Sequence, residues 1–416
     1  MGRATPPGRL LATAGLVLAL AAGTHTARAL EKGVSETTVR IGGVMDLEGR
    51  SRGLGQGMKR GIEAALRGET VQGRRIEFLT RNDSYTPAKT VAATRSLLEG
   101  GVFAMLGNVG TPTAKVSLPV LAEDRAPAVG FFTGAGLLRP GVGDVVNFRA
   151  SYVQETAAVI RSAVEAGVAP AAICAFVQND AYGMAGVEGI KRALAAQAGT
   201  DRKTLERIEQ ILALEGENPP RNGLGPVGVY KRNTFVSRAG YESLKAWEQV
   251  TGTPCQVVVT VGTYAAIARF AAYARYRGET WIFSAVSFTG ADNFQAALKD
   301  LGVSTGIIMT QVVPPLDSSL PIVTDARAAL GQDFGYVTLE GYIVGRLWLK
   351  AMTNIQGAVT REAFLDAIRG RRFDLGGLTM DFTDDNQGSD FVLLTRLTAD
   401  GYQVMRAGSW RDLLGQ

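Results

Sequence analysis

At 416 residues, 46% of them hydrophobic and 20% charged, the chain is long enough for two or three domains with a sizeable core. Its formal charge of +5 falls to +2 once the first 29 residues are removed, because Arg3, Arg9 and Arg28 leave and no acid does, so no nucleic-acid footprint is expected. The only histidine, His25, lies in the same stretch, which excludes imidazole general-base chemistry and histidine-ligated metals from the remainder.

The first 29 residues read as a secretory signal peptide. Arg3 and Arg9 give a basic start, Leu10 to Ala22 an apolar run, and Ala27-Arg28-Ala29 a small-x-small cleavage site. No cysteine follows that site, so no lipid anchor is expected, and no later run is long and apolar enough to cross a bilayer. Cys174 and Cys255 are too few for a disulfide framework and sit in or beside apolar runs, so they are expected as small core residues.

Thr38–Met45 reads as the first strand, followed by a polar loop and a helix with Met58, Ile62, Ala65 and Leu66 on one face. The glycines of Gly53-Leu54-Gly55-Gln56-Gly57 do not make a dinucleotide site, because about eight loop residues separate them from the strand. Arg75–Thr80 is a second strand and Ala88–Glu99 a helix. Val102–Leu106 then suits a strand buried on both faces. The loop Gly107-Asn108-Val109-Gly110-Thr111-Pro112-Thr113 turns from it into a helix, with Thr111 expected as N-cap and Pro112 at the first helical position. Free amides and a hydroxyl at that point make a receptor for a carboxylate. Ala128–Phe132 is a short strand leading into Thr133-Gly134-Ala135-Gly136, and Val145–Arg149 closes the series.

The pattern restarts with a helix from Tyr152 to Ala166, a strand Ala171–Val177, the loop Gln178–Gly183 and a helix Met184–Ala196. Residues 201–234 are polar and rich in Gly, Pro and Asn. Gln256–Val261 is a strand ending in Gly262-Thr263-Tyr264 before a helix Ala265–Arg275, and Trp281–Ser284 and Gly306–Gln311 supply further strands. Alternating strands and helices predict an α/β protein of two doubly wound parallel-sheet lobes. A ligand belongs beyond the carboxyl ends of the strands, where the facing lobes form a cleft that closes like a hinge.

With Val39-Arg40-Ile41-Gly42-Gly43, Gly55-Gln56-Gly57-Met58, Asn82-Asp83, Gly107–Thr113, Asp180-Ala181-Tyr182-Gly183, Leu339-Glu340-Gly341-Tyr342 and Asp385-Asn386-Gln387-Gly388 in this order, the chain resembles the type I periplasmic binding proteins of the Leu/Ile/Val-binding kind over residues 37–412. The resemblance implies a three-segment hinge, with crossings near Arg149–Tyr152, Thr310–Pro314 and Asn386–Ser389. Residues 36–150 with 314–386 would make the first lobe, and 151–313 with 387–412 the second. It also implies a ligand site of Leu54, Gly110, Thr111, Phe132, Thr133, Gly134, Tyr152, Tyr182, Tyr264 and Ser287. Two positions depart from the family pattern: Leu54 stands where an aromatic residue is common, and Ser287 where amino-acid binders carry an acid for the ligand ammonium.

The expected function is therefore that of a periplasmic solute-binding protein of an ABC importer. It would be a monomer without cofactor or metal, taking a small carboxylate- or amide-containing ligand, an amino acid or a related compound, to a permease in the inner membrane. With Ser287 for the acid, a ligand with an uncharged tail is expected to fit better than a zwitterion. A sensory receptor of the same fold for a membrane kinase or chemoreceptor is the alternative. An enzyme is not expected: Asp384-Asp385 lies in a turn-like polar run where acids are ordinarily solvated, and no tuned acid–base group is visible.

Overall fold

The computed structural model describes residues 1–4, 31–216 and 218–415. It divides into two compact units, 1–30 and 31–416, and every element below belongs to the second. The expected signal peptide falls almost wholly outside the described residues.

Six strands build the first sheet: β1 (Thr38–Met45), β2 (Thr70–Val71), β3 (Arg74–Asn82), β4 (Ala104–Leu106), β5 (Ala128–Val129) and β6 (Val145–Val146), in the order β2-β3-β1-β4-β5-β6. All pairs are parallel except the β2–β3 edge. Between these strands run α1 (Arg52–Leu66), α2 (Pro87–Glu99) and α3 (Thr111–Asp124). Alternation along β1 sends Val39, Ile41 and Met45 into one core and Val44 into another, so the sheet is covered on both faces.

The second sheet contains β7 (Ile173–Gln178), β8 (Val227–Tyr230), β9 (Val257–Val261), β10 (Ile282–Ala285) and β11 (Ile307–Gln311), all parallel. Its helices include α4 (Tyr152–Glu165), α5 (Ala181–Ala195), α6 (Arg202–Ala213), α7 (Arg238–Thr251), α8 (Tyr264–Tyr276) and α9 (Ala291–Asp300). The chain then returns to the first sheet's side through α10 (Pro321–Leu330) and α11 (Tyr336–Thr353), with α11 packed along α1. That crossing is close. A Cβ on Gly61 would lie 2.1 Å from the Thr338 carbonyl, so only glycine lets the helix backbones approach. After the hairpin β12 (Arg372–Leu375) and β13 (Leu378–Asp381), β14 (Leu393–Thr398) adds antiparallel to β11, and β15 (Gly401–Val404) antiparallel to β14.

Two lobes with parallel-dominant sheets are thus present, as the strand–helix alternation predicts. Just after β6 the chain meets its late part: Asn147 pairs with Gln387, its amide donating to the Asn386 carbonyl at 2.7 Å.

The structure corrects the expectation for the cysteines. Cys174 and Cys255 form a disulfide, with Cα atoms 5.8 Å apart and a sequence separation of 81. The reason is topological: β7 pairs directly with β9, placing Cys174 opposite Val258 and bringing the entry to β9 alongside it. The polar stretch 201–234 also holds α6 and β8. Leu205, Ile208 and Leu212 turn to the core at helical spacing among exposed charges.

Candidate functional site

The loops after β4 and β5 carry the first group of predicted site residues. Gly110, at φ 103°, caps α3, so Thr111 is the first helical residue and not the cap expected of it. Its hydroxyl is engaged elsewhere, 2.6 Å from the Thr133 hydroxyl, which in turn donates to the Tyr152 hydroxyl at 3.1 Å. All three side chains are fully buried. The Gly110 amide was expected to face the ligand but donates to the Phe132 carbonyl at 3.2 Å, tying the two loops together. The Thr111 amide, in the first turn of α3, has no partner within the helix. Gly134 must be small, because a Cβ there would lie 2.8 Å from both the Tyr152 ring and its amide. Burial pushes the Tyr152 hydroxyl up to about 12, although the Arg149 guanidinium works the other way, so it stays a neutral donor.

Aromatic rings fill the opposite side. Phe288, from the second lobe, lies 5.2 Å from Phe132 and 4.7 Å from Tyr182, and Tyr182 lies 5.3 Å from Tyr152, all between ring centroids. Tyr85 completes the group at 6.2 Å from Phe288. Leu54 packs on the second lobe at Gly290, where a Cβ would come within 2.3 Å of it. Tyr264 is only half-buried and bridges the mouth, its hydroxyl donating to the Arg50 carbonyl at 3.1 Å. Thr111, Phe132, Thr133, Gly134, Tyr152 and Tyr182 therefore converge at the centre, Leu54 and Tyr264 at lobe-to-lobe contacts.

Residues 38–206 match the family model described as periplasmic binding protein. Over 93% of this chain, and all of the other, the fold superposes with a TM-score of 0.80 and 33% identity on the crystal structure of a "possible leucine/isoleucine/valine-binding protein" from Rhodopirellula baltica. The chain belongs to the type I periplasmic binding proteins of the Leu/Ile/Val-binding kind. A leucine-binding protein from Thermotoga maritima shares the fold at 15% identity and a TM-score of 0.72, covering 88% of this chain and 97% of its own. So does a solute-binding protein of an ABC transporter from Rhodopseudomonas palustris, crystallised with p-hydroxybenzoic acid, at 16% identity and a TM-score of 0.67, covering 89% and 95%. No curated protein matches the chain. The structural relatives are substrate-binding proteins rather than enzymes.

Under the hydroxyls and rings, the binding protein carries an ion cluster that sequence reasoning missed. Arg149, fully buried, donates to Glu155 at 2.9 Å, to Glu340 at 3.4 Å and to the Ser287 hydroxyl. Its guanidinium carbon lies 5.3 Å from the Phe132 ring centroid and 5.9 Å from that of Tyr152. Burial opposes the charge of Arg149, but Glu340 and Glu155 outweigh it and hold the guanidinium protonated. Ser287 is therefore not a lone substitute for an acid. Glu155 accepts from the Ser287 amide at 2.7 Å.

Two other acids near the cleft are committed. Asp180 caps α5 through the Tyr182 amide and pairs with Arg232 at 3.0 Å. Asp292 is held by the amides of Tyr336 and Val337 at the start of α11, where the helix dipole favours an anion. Tyr85 had one local sign: it sits at φ 54°, an unusual conformation for a large residue, fixed by the Asp83 carboxylate accepting its amide at 2.9 Å.

Proposed function

We propose that the binding protein captures a small ligand bearing a carboxylate or amide and an uncharged, apolar remainder, and hands it to an ABC permease in the inner membrane. The protein is secreted to the periplasm after cleavage near Ala29 and acts as a monomer. Residues 36–150 with 314–386 form one jaw and 151–313 with 387–412 the other, closing about the paired crossings at Asn147 and Gln387.

The observation that carries this reading is the buried hydroxyl line Thr111–Thr133–Tyr152 at the N-terminus of α3, facing a wall of aromatic rings. With the Thr133 proton given to Tyr152 and the Thr111 proton to Thr133, the Tyr152 hydroxyl and the first-turn amide are the donors left for a carboxylate, and the rings suit an apolar body. The same site treats an ammonium poorly. Both nearby carboxylates already serve Arg149, and Ser287 presents a hydroxyl engaged by that guanidinium. Cation–π contacts offer about 0.5–2 kcal/mol, less than the several kcal/mol lost on desolvating an ion. The aromatic acid bound by the Rhodopseudomonas palustris protein has the ligand chemistry proposed here.

A thermal-shift panel tests the reading. 4-Methylpentanoate and 4-hydroxybenzoate are expected to raise the melting temperature more than leucine, isoleucine or valine. In Thr111→Val, calorimetry with the best of them should show binding weaker by about 1–3 kcal/mol, the scale of a lost charge-assisted hydrogen bond. Stabilisation by leucine with no response to either acid would refute the proposal.

A further inference from the structure

We infer that closing the two lobes loads a proton onto Glu340, so that capture in the cleft is tied to proton uptake and is favoured by mildly acidic surroundings. The inference rests on the proposed capture by closure and adds a regulation of the same site. Its starting point is an imbalance: two buried carboxylates share one buried cation, Arg149.

The two acids are unequally supplied. Glu155 receives the shorter Arg149 bond at 2.9 Å, the Ser287 amide at 2.7 Å and the Thr310 hydroxyl at 2.5 Å. Glu340 has a single 3.4 Å bond to Arg149. A carboxylate taken from water and given one long hydrogen bond is the one that neutralises itself, since burial penalises the charged form and a like charge stands nearby. Burial, with Glu155 adding to it against the pull of Arg149, pushes the Glu340 carboxyl up to about 7.

The charged groups that act on the Glu340 carboxyl come from several elements. The crossing segment supplies Arg149, and α4 supplies Glu155 and Tyr152. The loop after β5 supplies Arg139, whose guanidinium donates to the Arg149 carbonyl at 2.8 Å. On the adjoining helices, Arg346 of α11 pairs with Glu69 and Arg60 of α1 with Asp333.

The cluster joins the lobes. Glu340 sits on α11, packed along α1 in the first lobe, while Glu155 sits on α4 in the second. Opening separates them and returns Glu340 to water, where its carboxyl regains the ordinary range. The sign follows: an acid raised in the closed form favours closure fully below that ordinary range and loses this effect as pH rises through about 7. From pH 8 to pH 6 the closing equilibrium should gain roughly tenfold, one pKa unit's worth of linkage per pH unit at most.

The test uses the full chain without ligand. In carbon-13 NMR of glutamate-labelled protein, one side-chain carboxyl is expected to titrate with a midpoint near 7 and to be absent in Glu340→Gln. The radius of gyration from small-angle scattering should shrink from pH 8 to pH 6 in the wild type and stay constant in Glu340→Gln. If that variant does not fold, Glu155→Gln serves in its place: Arg149 then belongs to Glu340 alone and the midpoint should move down. Glutamates that all titrate in the ordinary carboxylate range, a wild-type radius independent of pH, or a pH response retained in Glu340→Gln would each overturn the inference. Neither readout uses a ligand, so a failed ligand panel counts against the proposed capture and not against the proton linkage.

Discussion

Replacing Arg149 with methionine is expected to lower the unfolding free energy by about 3–5 kcal/mol, the usual result of removing one partner from a buried ion pair. The loss should be this large because two carboxylates, Glu155 and Glu340, would be left in the interior without their cation. Methionine keeps most of the side-chain volume, so a cavity contributes little. The pH dependence separates charge from packing. Without the guanidinium the Glu340 carboxyl, already raised by burial, loses the pull that lowered it, so the variant should recover part of its stability as pH falls and be weakest at alkaline pH. Urea titrations at several pH values measure this, and a loss under about 1 kcal/mol with no pH trend would show that the cluster does not stabilise the fold.

Breaking the disulfide between Cys174 and Cys255 should also have a large effect. With the cysteines 81 positions apart, the chain-entropy relation gives about 4–5 kcal/mol of stabilisation. Both sulfurs are buried, so reductant should act only on unfolded or opening molecules. Denaturant titrations with and without dithiothreitol, and of the double variant Cys174→Ala/Cys255→Ala, are expected to show a lower midpoint with an intact native spectrum. An unchanged midpoint would mean that the sheet alone holds β7 and β9 together.

Some of the fold was legible in the sequence and some was not, for physical reasons. The first strand reads to the residue because Thr38–Met45 is an unbroken β-run that pairs along its whole length. The run Ala128–Phe132 looked equally strand-like, yet only Ala128–Val129 lie in the sheet. Gly130 at φ 63° turns the chain out, and the following residues are buried as a loop. The site divides in the same way. Thr111 and Tyr182 were visible because each stands in the first turn of a helix that follows a strand, a local pattern. Arg149 and Glu340 are 191 positions apart and meet only through the crossing segments, so no periodicity or spacing announces them. Phe288 was passed over for its neighbour Ser287, whose hydroxyl proves to be engaged by Arg149 while the Phe288 ring lies between the two lobes.

The most direct measurement is native mass spectrometry of the protein purified from its own host without denaturation, followed by release and identification of any retained molecule. If the proposed ligand site is right, the protein should retain a small compound with one carboxylate or amide, an apolar or aromatic body and no ammonium group. A retained zwitterionic amino acid, or a ligand with neither a carboxylate nor an amide, would contradict the role assigned to Thr111, Thr133 and Tyr152.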